Sequence, residues 1–355
     1  MDIITQLASL LVPLLSLLKD YRQKENFTNY LSGLLLQDKY FSSHGISKLT
    51  LEKELWHFYY FLEQRINWRK LFYKLARLVI KEYPDETLFL VTDGTPLKQE
   101  YAHNRITKDG FINIAKMKNV PHNELVSLSL TNRSLYMPLD FKIWNSQKVV
   151  QENDYEKKTD QFLDMIKRYH FLGLPFRRIA FDGMFASKTI LLKWLNRNGY
   201  TWITRIKCNR GIIVKGKKEI LGELGLKDGE SRVCELNGVK GLVKIPRFSY
   251  KDEIVYAATN QYSMSNEELK YGYKDRWEVE VFHREAKQRL GLEYIFIRSW
   301  QKLTNHVGFV CLAYSLLSIL RHTSGGSISL TKYKIRNEIY SLEDSNDRLV
   351  RKLIS

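Results

Sequence analysis

The chain has 355 residues, more than one ordinary hydrophobic core needs, so we expect about two or three structural units. Its hydrophobic fraction of 44% and aromatic fraction of 13% exclude a chain that is mainly disordered. The 56 Lys and Arg residues exceed the 39 Asp and Glu residues, which gives a formal net charge of +17. A surplus of this size favours a polyanionic partner such as nucleic acid, or else a negatively charged membrane surface.

Cysteine content and apolar runs both indicate a cytoplasmic protein. Cys208, Cys234 and Cys311 are too few and too scattered for a disulfide framework or a four-cysteine zinc site. The apolar run at residues 3–18 lacks the basic residues that precede a secretory signal. A second run, residues 307–320, is shorter than the roughly 20 residues that a spanning helix requires. We therefore expect no contact with a membrane.

The first part of the chain, residues 1–83, is predicted to be helical. It is rich in Leu, Lys, Gln, Glu and aromatic residues and poor in helix breakers, and Pro84 closes it. Asn26 is predicted to cap one of its helices. Such a segment forms either a plain helical bundle or, in a protein this basic, a DNA-binding region.

Residues 84–207 change to short apolar runs separated by turn signals and helical patterns. The predicted order is three strands, helix, strand, helix, strand, which is typical of a mixed α/β sheet. Two of the strands stop at an Asp-Gly pair, Asp93-Gly94 and Asp182-Gly183. Either pair by itself most often marks a turn.

Residues 208–258 interrupt this rhythm with frequent glycines between short apolar runs, which predicts a small β-rich insertion. The stretch is basic: residues 183–258 hold 15 Lys and Arg against 7 Asp and Glu. Helical patterns return over residues 259–322, and a charged helical tail, residues 323–355, ends the chain.

The polar helix near residues 271–291 carries an unusual stripe. At about 100° per residue, Tyr273, Arg276, Glu280 and Lys287 fall within about 60° of one another, with apolar residues on the opposite side. His283 lies near this stripe and is expected at the surface. Taken alone, the stripe is explained by a solvated helix face with an ion pair between Arg276 and Glu280.

Taken together, Asp93, Asp182 and Glu280 indicate a different chemistry. Two aspartates at strand ends and a glutamate on a later helix are the hard oxygen ligands that Mg²⁺ prefers. Two such ions, about 3.5–4 Å apart, catalyse in-line displacement at phosphorus. Arg276 and Lys287 beside the glutamate could bind the flanking phosphates.

These residues resemble a known family. The tetrad Tyr273, Arg276, Glu280 and Lys287 looks like the YREK signature of DDE transposases from bacterial and archaeal insertion sequences. The surrounding residues agree, including both Asp-Gly pairs, the NFTNYLSGLLL segment near the N-terminus, and the region of Arg298 and His306. The resemblance covers nearly the whole chain.

The resemblance implies an α/β fold with a ribonuclease-H-like catalytic core, formed by a mixed five-stranded sheet with flanking helices. A β-rich insertion would precede the last catalytic helix, after a helical N-terminal region. The implied catalytic residues, which would hold two Mg²⁺ ions with Mn²⁺ able to substitute, are Asp93, Asp182 and Glu280. The implied DNA contacts are Tyr273, Arg276, Lys287, Arg298 and His306.

The implied function is cut-and-paste transposition. The protein would cut double-stranded DNA at the ends of its element, join those ends to target DNA, and act as a homodimer near the nucleoid. Two alternatives stay open: a catalytically silent DNA-binding derivative, and a ribonuclease-H-like nuclease that never joins strands. The presence of all three acids argues against the silent derivative.

Overall fold

The computed structural model describes residues 2–37, 55–84, 87–98, 104–107, 110–113, 122–147, 155–250, 253–293 and 299–341. Across these ranges the protein is a mixed α/β fold with a large mixed sheet, flanking helices and a helical N-terminus, which is consistent with a ribonuclease-H-like fold. The predicted fold class is therefore confirmed.

Four helices of the N-terminal region lie in the described ranges. They are α1 (Ile3–Leu15), α2 (Tyr21–Leu36), α3 (Leu55–Phe61) and α4 (Trp68–Glu82). The carboxylate of Asp20 caps α2 by accepting a hydrogen bond from the backbone N–H of Gln23. The predicted cap at Asn26 is wrong, because Asn26 lies inside α2 and is buried.

The central strands follow one another in the order β5-β4-β1-β6-β7. Their bounds are β1 (Phe89–Lys98), β4 (His122–Thr131), β5 (Tyr136–Trp144), β6 (Arg178–Phe181) and β7 (Thr201–Ile206). β1, β6 and β7 are parallel, whereas β4 and β5 are antiparallel to their neighbours. Between β1 and β4, β2 (Asn104–Thr107) and β3 (Gly110–Asn113) form a separate two-stranded ribbon.

Helices connect the parallel strands, as such strands require. They are α5 (Lys158–Phe171) before β6, and α6 (Gly183–Ala186) with α7 (Thr189–Arg197) between β6 and β7. Apolar side chains of α5 and α6 meet over the sheet, since the ring centroids of Phe162 and Phe185 lie 5.2 Å apart.

The basic glycine-rich stretch forms five further strands. They are β8 (Gly211–Val214), β9 (Lys217–Ile220), β10 (Ser231–Leu236), β11 (Leu242–Tyr250) and β12 (Glu253–Thr259). β12 pairs with β7, so these strands continue the central sheet, which has ten strands in the described part of the chain. The five predicted core strands are thus present, and the predicted β-rich insertion adds its strands to the same sheet through β12.

The remaining helices are α8 (Asn266–Lys274), α9 (Trp277–Arg289), α10 (Trp300–Ser324) and α11 (Ile328–Ser341). By length and composition α10 could cross a membrane, but nearly all of its apolar window is buried inside the protein. Phe309 on α10 packs against Phe27, Tyr30 and Trp68, with ring centroids 4.7–4.9 Å apart. The N-terminal helices and α10 therefore share one core.

Candidate active site

Strand register places Asp93 beside Asp182. β1 and β6 pair in parallel up to Thr92 and Phe181; Asp93 is the next residue on β1, and Asp182 directly follows the end of β6. The carboxyl edge of parallel strands is where α/β sheets build ligand sites. One expectation is corrected: β1 does not stop at Asp93 but runs on to Lys98, because β4 continues to pair with it.

Both aspartates are held by local backbone hydrogen bonds. Asp93 Oδ1 accepts from the N–H of Gly94 at 2.8 Å, and Asp182 Oδ1 accepts from the N–H of Met184 at 3.0 Å. Asp182 is the N-cap of α6, so its pair with Gly183 begins a helix. A Cβ at Gly183 would lie 2.7 Å from the carbonyl oxygen of Arg205 on β7. Glycine is thus required for α6 to approach β7.

The predicted single helix over the stripe is two helices, α8 and α9, that meet at Asp275 and Arg276. Asp275 is buried and forms ion pairs with Arg133 and with Arg178. Asp275 and Arg276 both keep right-handed helical dihedral angles. For this reason Tyr273 at the end of α8 stays close to Arg276 despite the break.

The Arg276 side chain contacts residues from three elements, β1, α8 and α9. Its Nη1 donates to Asp93 Oδ2, and its Nη2 donates to Glu280 Oε1 at 2.6 Å. The guanidinium carbon lies 5.4 Å from the centroid of the Tyr273 ring. The ion pair between Arg276 and Glu280 that the helical spacing predicted is present, and Asp93 joins it from a strand 183 residues earlier.

The electrostatics of the cluster are dominated by the burial of Asp93. Burial raises the pKa of Asp93 to about 6, Arg276 opposes the rise, and the carboxylates of Asp182 and Glu280 add to it. Burial also raises the pKa of Tyr273. Burial alone would lower the pKa of Arg276, but Tyr273, Asp93 and Glu280 outweigh it, so the guanidinium stays charged.

The donor set fits a divalent cation in its chemistry. Asp93, Asp182 and Glu280 offer carboxylate oxygens, and the raised pKa of Asp93 indicates that an added cation would be stabilised there. Among the described residues, no three Asp, Glu, His or Cys side chains are arranged to hold a metal ion as they stand. Arg276 engages two of the three carboxylates and would have to release them before they could act as ligands.

Lys287 lies farther along α9 and contacts protein on two sides. Its Nζ donates to the carbonyl oxygen of Pro96 at 2.8 Å and pairs with Glu293 at 2.9 Å. These contacts tie α9 to the extended end of β1. The expected contact between Lys287 and a DNA phosphate stays a prediction. Glu293 was missed as a partner, although it lies shortly after the helix that carries Lys287.

Two further DNA contacts were expected, Arg298 and His306. Arg298 lies outside the described residues. His306 is buried on α10, where Nδ1 accepts from the Tyr30 hydroxyl at 2.9 Å and Nε2 donates to the Gly291 carbonyl at 3.0 Å. A DNA contact by His306 does not fit this placement, because α2 covers it and both ring nitrogens are already bonded.

His283 is buried rather than exposed, which corrects the expectation for it. Burial, together with the charges of Lys287 and Arg276, lowers its pKa to about 3. Its Nε2 is buried without a hydrogen-bond partner. The signal was present in the sequence: His283 lies four residues after Val279 and three before Ala286, which are both buried on α9.

Comparison with known proteins links this geometry to one family. The family model described as a transposase DDE domain matches residues 137–316, and the model described as a DDE superfamily endonuclease matches residues 13–218. The first match includes Asp182 and Glu280, and the second includes Asp93 and Asp182. No curated protein matches the sequence.

Among solved structures, endonuclease V of Bacillus subtilis is similar over 63% of this chain and 96% of its own, with 7% sequence identity and a TM-score of 0.29. That likeness is too weak to bear on fold or function. Each family match, by contrast, spans more than half of this chain. By these matches the chain belongs to the DDE transposases and has the transposase-type nuclease function of that family.

Proposed function

We propose that the protein is the cut-and-paste transposase of an insertion sequence with the YREK signature. It cuts double-stranded DNA at the ends of its element and joins those ends to target DNA. The single observation that carries the proposal is the meeting of Asp93, Asp182 and Glu280 around one edge of the sheet, where Arg276 bridges Asp93 and Glu280.

The three carboxylates would hold two Mg²⁺ ions, with Mn²⁺ able to replace them. When bound, such ions supply the positive charge that activates an attacking oxygen and stabilises a leaving one. Arg276 would then exchange its carboxylate partners for phosphate oxygens, which a guanidinium binds in the same forked geometry. Catalysis by this chain then consists mainly of charge neutralisation and in-line positioning.

Two displacements at phosphorus make up the reaction. In the first, a water oxygen bonds to phosphorus, the bond from phosphorus to the 3′ oxygen breaks, and that oxygen takes a proton. In the second, the released 3′ hydroxyl attacks a target phosphodiester, loses its proton, and displaces the target's own 3′ oxygen. The displaced target oxygen takes up a proton in its turn. The first step hydrolyses one phosphodiester bond, and the second forms one such bond for the one it breaks, so strand joining needs no outside energy source.

DNA binding would rest on the positive charge of the chain, with a net value of +17. Near the carboxylates, Tyr273, Arg276 and Lys287 are the proposed contacts. An element has two ends, so the active complex would contain at least two copies of the chain.

Cleavage of DNA that carries the flanking repeats of the gene tests the proposal. Wild type, Glu280→Gln and Glu285→Gln are incubated with the fragment in Mg²⁺ or EDTA. Glu285 is a matched control, since it lies on α9 but pairs with Arg289 rather than with the site. We expect cuts at the repeat ends with wild type and Glu285→Gln in Mg²⁺, and none with Glu280→Gln or EDTA.

A labelled end fragment and a supercoiled target plasmid, added to the same reactions, separate the alternatives. Joined products support the transposase. Cutting without joining would instead indicate a nuclease, and binding without cutting by the wild type would indicate a silent derivative. Metal-dependent cutting retained by Glu280→Gln would overturn the assignment of Glu280.

A further inference from the structure

A cleft of about 400 Å³ lies beside the proposed active site, where the core sheet meets the inserted strands. α6 forms one wall, and the turn between β7 and β8 forms another. Gly183, which lines the cleft, directly follows Asp182. Any molecule bound in the cleft would therefore lie close to the carboxylates.

The cleft is lined by an arginine that has few partners. Arg210 Nη1 donates to the carbonyl oxygen of Ser187 at 3.2 Å, which is a weak bond to a neutral group. Its Nε and Nη2 are both buried and have no hydrogen-bond partner. Burial lowers the pKa of Arg210, and no carboxylate opposes that effect. Leaving charged donors buried and unpaired costs free energy, so this arrangement favours an added acceptor.

The backbone holds Arg210 in place before any ligand arrives. The N–H of Arg210 donates to the carbonyl of Lys207 at 3.0 Å, and its own carbonyl accepts from the N–H of Leu221 at 3.0 Å. The N–H of Gly222 donates to the carbonyl of Cys208 at 2.8 Å. These bonds fix the turn between β7 and β8, so little conformational entropy remains to be lost on binding.

The other lining residues also suit an anion. Lys207 adds a second positive charge, and the side-chain amides of Asn209 and Asn237 can donate hydrogen bonds. None of the described residues that line the cleft is acidic. The unpaired Nε–Nη2 edge of Arg210 is buried, so the side chain would have to turn towards the cleft to use it. That edge would then present two parallel N–H groups to two phosphate oxygens.

We propose that this cleft binds a backbone phosphate of the DNA substrate, held mainly by Arg210, and so extends the DNA path from the carboxylates to the inserted strands. The proposal rests on the proposed function in one respect, namely that the protein binds DNA. It adds a residue outside the YREK stripe that positions the strand being cut.

The test measures how the dissociation constant of a fluorescent duplex changes with NaCl for wild type, Arg210→Gln, Arg210→Lys and Lys217→Gln. Lys217 is the matched control, because it is exposed on β9 at the opposite end of the β8–β9 hairpin from Gly211. For Arg210→Gln we expect about tenfold weaker binding near 0.1 M salt, and a log-log slope smaller by about 0.9.

Arg210→Lys keeps the positive charge but loses the paired N–H groups of the guanidinium. It should therefore restore the wild-type salt dependence of binding but only part of the wild-type affinity. Without DNA, Arg210→Gln should unfold at the same temperature as wild type or a higher one, because it removes an unpaired buried charge. This melting measurement separates loss of a ligand contact from loss of structure, since a structural role for Arg210 would lower the melting temperature.

Several results would overturn the proposal. Equal losses of duplex affinity in Arg210→Gln and Lys217→Gln would mean that only the net charge of the protein matters. The proposal for the cleft would then fail, whereas the proposed function would not be affected. Inorganic phosphate that raises the melting temperature of wild type but not of Arg210→Gln, with equal DNA affinity in both, would assign the cleft to a free anion. A wild type that binds no duplex would overturn this proposal and the proposed function together.

Discussion

The polar stripe had two interpretations, an ion-paired helix face and a phosphate-binding site, and the contacts of Arg276 are compatible with both. Its ion pair with Glu280 is the contact that helical spacing predicts, and it is found at 2.6 Å. Its second bond, to Asp93, depends on β1 and α9 coming together, which no local pattern in the sequence encodes. The same guanidinium that suits a phosphate thereby neutralises the carboxylates when no cation lies among them.

His283 gives a prediction at this scale for the free energy of unfolding. Because its pKa is about 3 in the folded protein and about 6.5 in the unfolded chain, the unfolded chain binds more protons between these values. The contribution of His283 to stability is therefore full above about pH 6.5 and is lost as the pH drops towards 3, by at most about 1.4 kcal/mol per pH unit. Urea unfolding at pH 7, 6 and 5 measures this loss.

His283→Gln should flatten the profile relative to wild type. Parallel profiles for wild type and His283→Gln would show that His283 takes up its proton as readily in the folded protein as in the unfolded chain.

At the scale of elements, the close packing of α6 against β7 determines where Asp182 lies. α6 begins at Asp182 and packs against β7 because Gly183 has no side chain. α8 is anchored by a capping box in which Ser265 accepts from the N–H of Glu268 while Glu268 accepts from the N–H of Ser265. Short local sequence signals, a glycine and a capping box, thus set where α6 and α8 begin. The positions of these two helices in turn set the geometry of the site.

Gly183→Ala should disturb this geometry. The added Cβ would lie 2.7 Å from the carbonyl oxygen of Arg205, which is backbone and cannot move aside cheaply. We expect a loss of about 2 kcal/mol or more in the free energy of unfolding, and at least a tenfold loss of cleavage as Asp182 moves.

Gly199→Ala is the control in urea unfolding and cleavage assays. Gly199 has a φ of +69°, and a Cβ added there would have no neighbour within 4 Å, so alanine costs only about 1–2 kcal/mol of backbone strain. Cleavage should survive in this variant. Wild-type cleavage and stability in Gly183→Ala would contradict the packing argument.

At the scale of the whole molecule, one hydrophobic core joins the N-terminal helices, α10 and the sheet. Trp68 on α4 illustrates the contact: its Nε1 donates to Asn305 Oδ1 on α10 at 2.9 Å, inside the protein. The full sequence carries a formal net charge of +17, and the field of such a surplus attracts any polyanion that approaches.

Duplex binding by the wild type should therefore depend steeply on salt. We expect the logarithm of the association constant to fall with the logarithm of NaCl concentration at a slope of about −5 or steeper, since each neutralised phosphate contributes about −0.9. Fluorescence anisotropy between 0.05 and 0.2 M NaCl measures the slope, and circular dichroism at both salt concentrations controls for the fold. A slope near zero would show that the charge surplus does not serve DNA binding.

Local sequence patterns were enough to predict the kinds of element and their order, because strand and helix periodicity involves residues close together in the chain. Asp-Gly pairs, helical spacing and the family resemblance made the three acids candidates, and their catalytic role stays a prediction. The same patterns could not show that β12 pairs with β7, that Arg276 reaches Asp93, or that His306 is buried under α2. Those features depend on contacts between residues far apart in the chain. They became visible only in the folded protein, because burial and strand pairing are settled by which surfaces the packed elements cover.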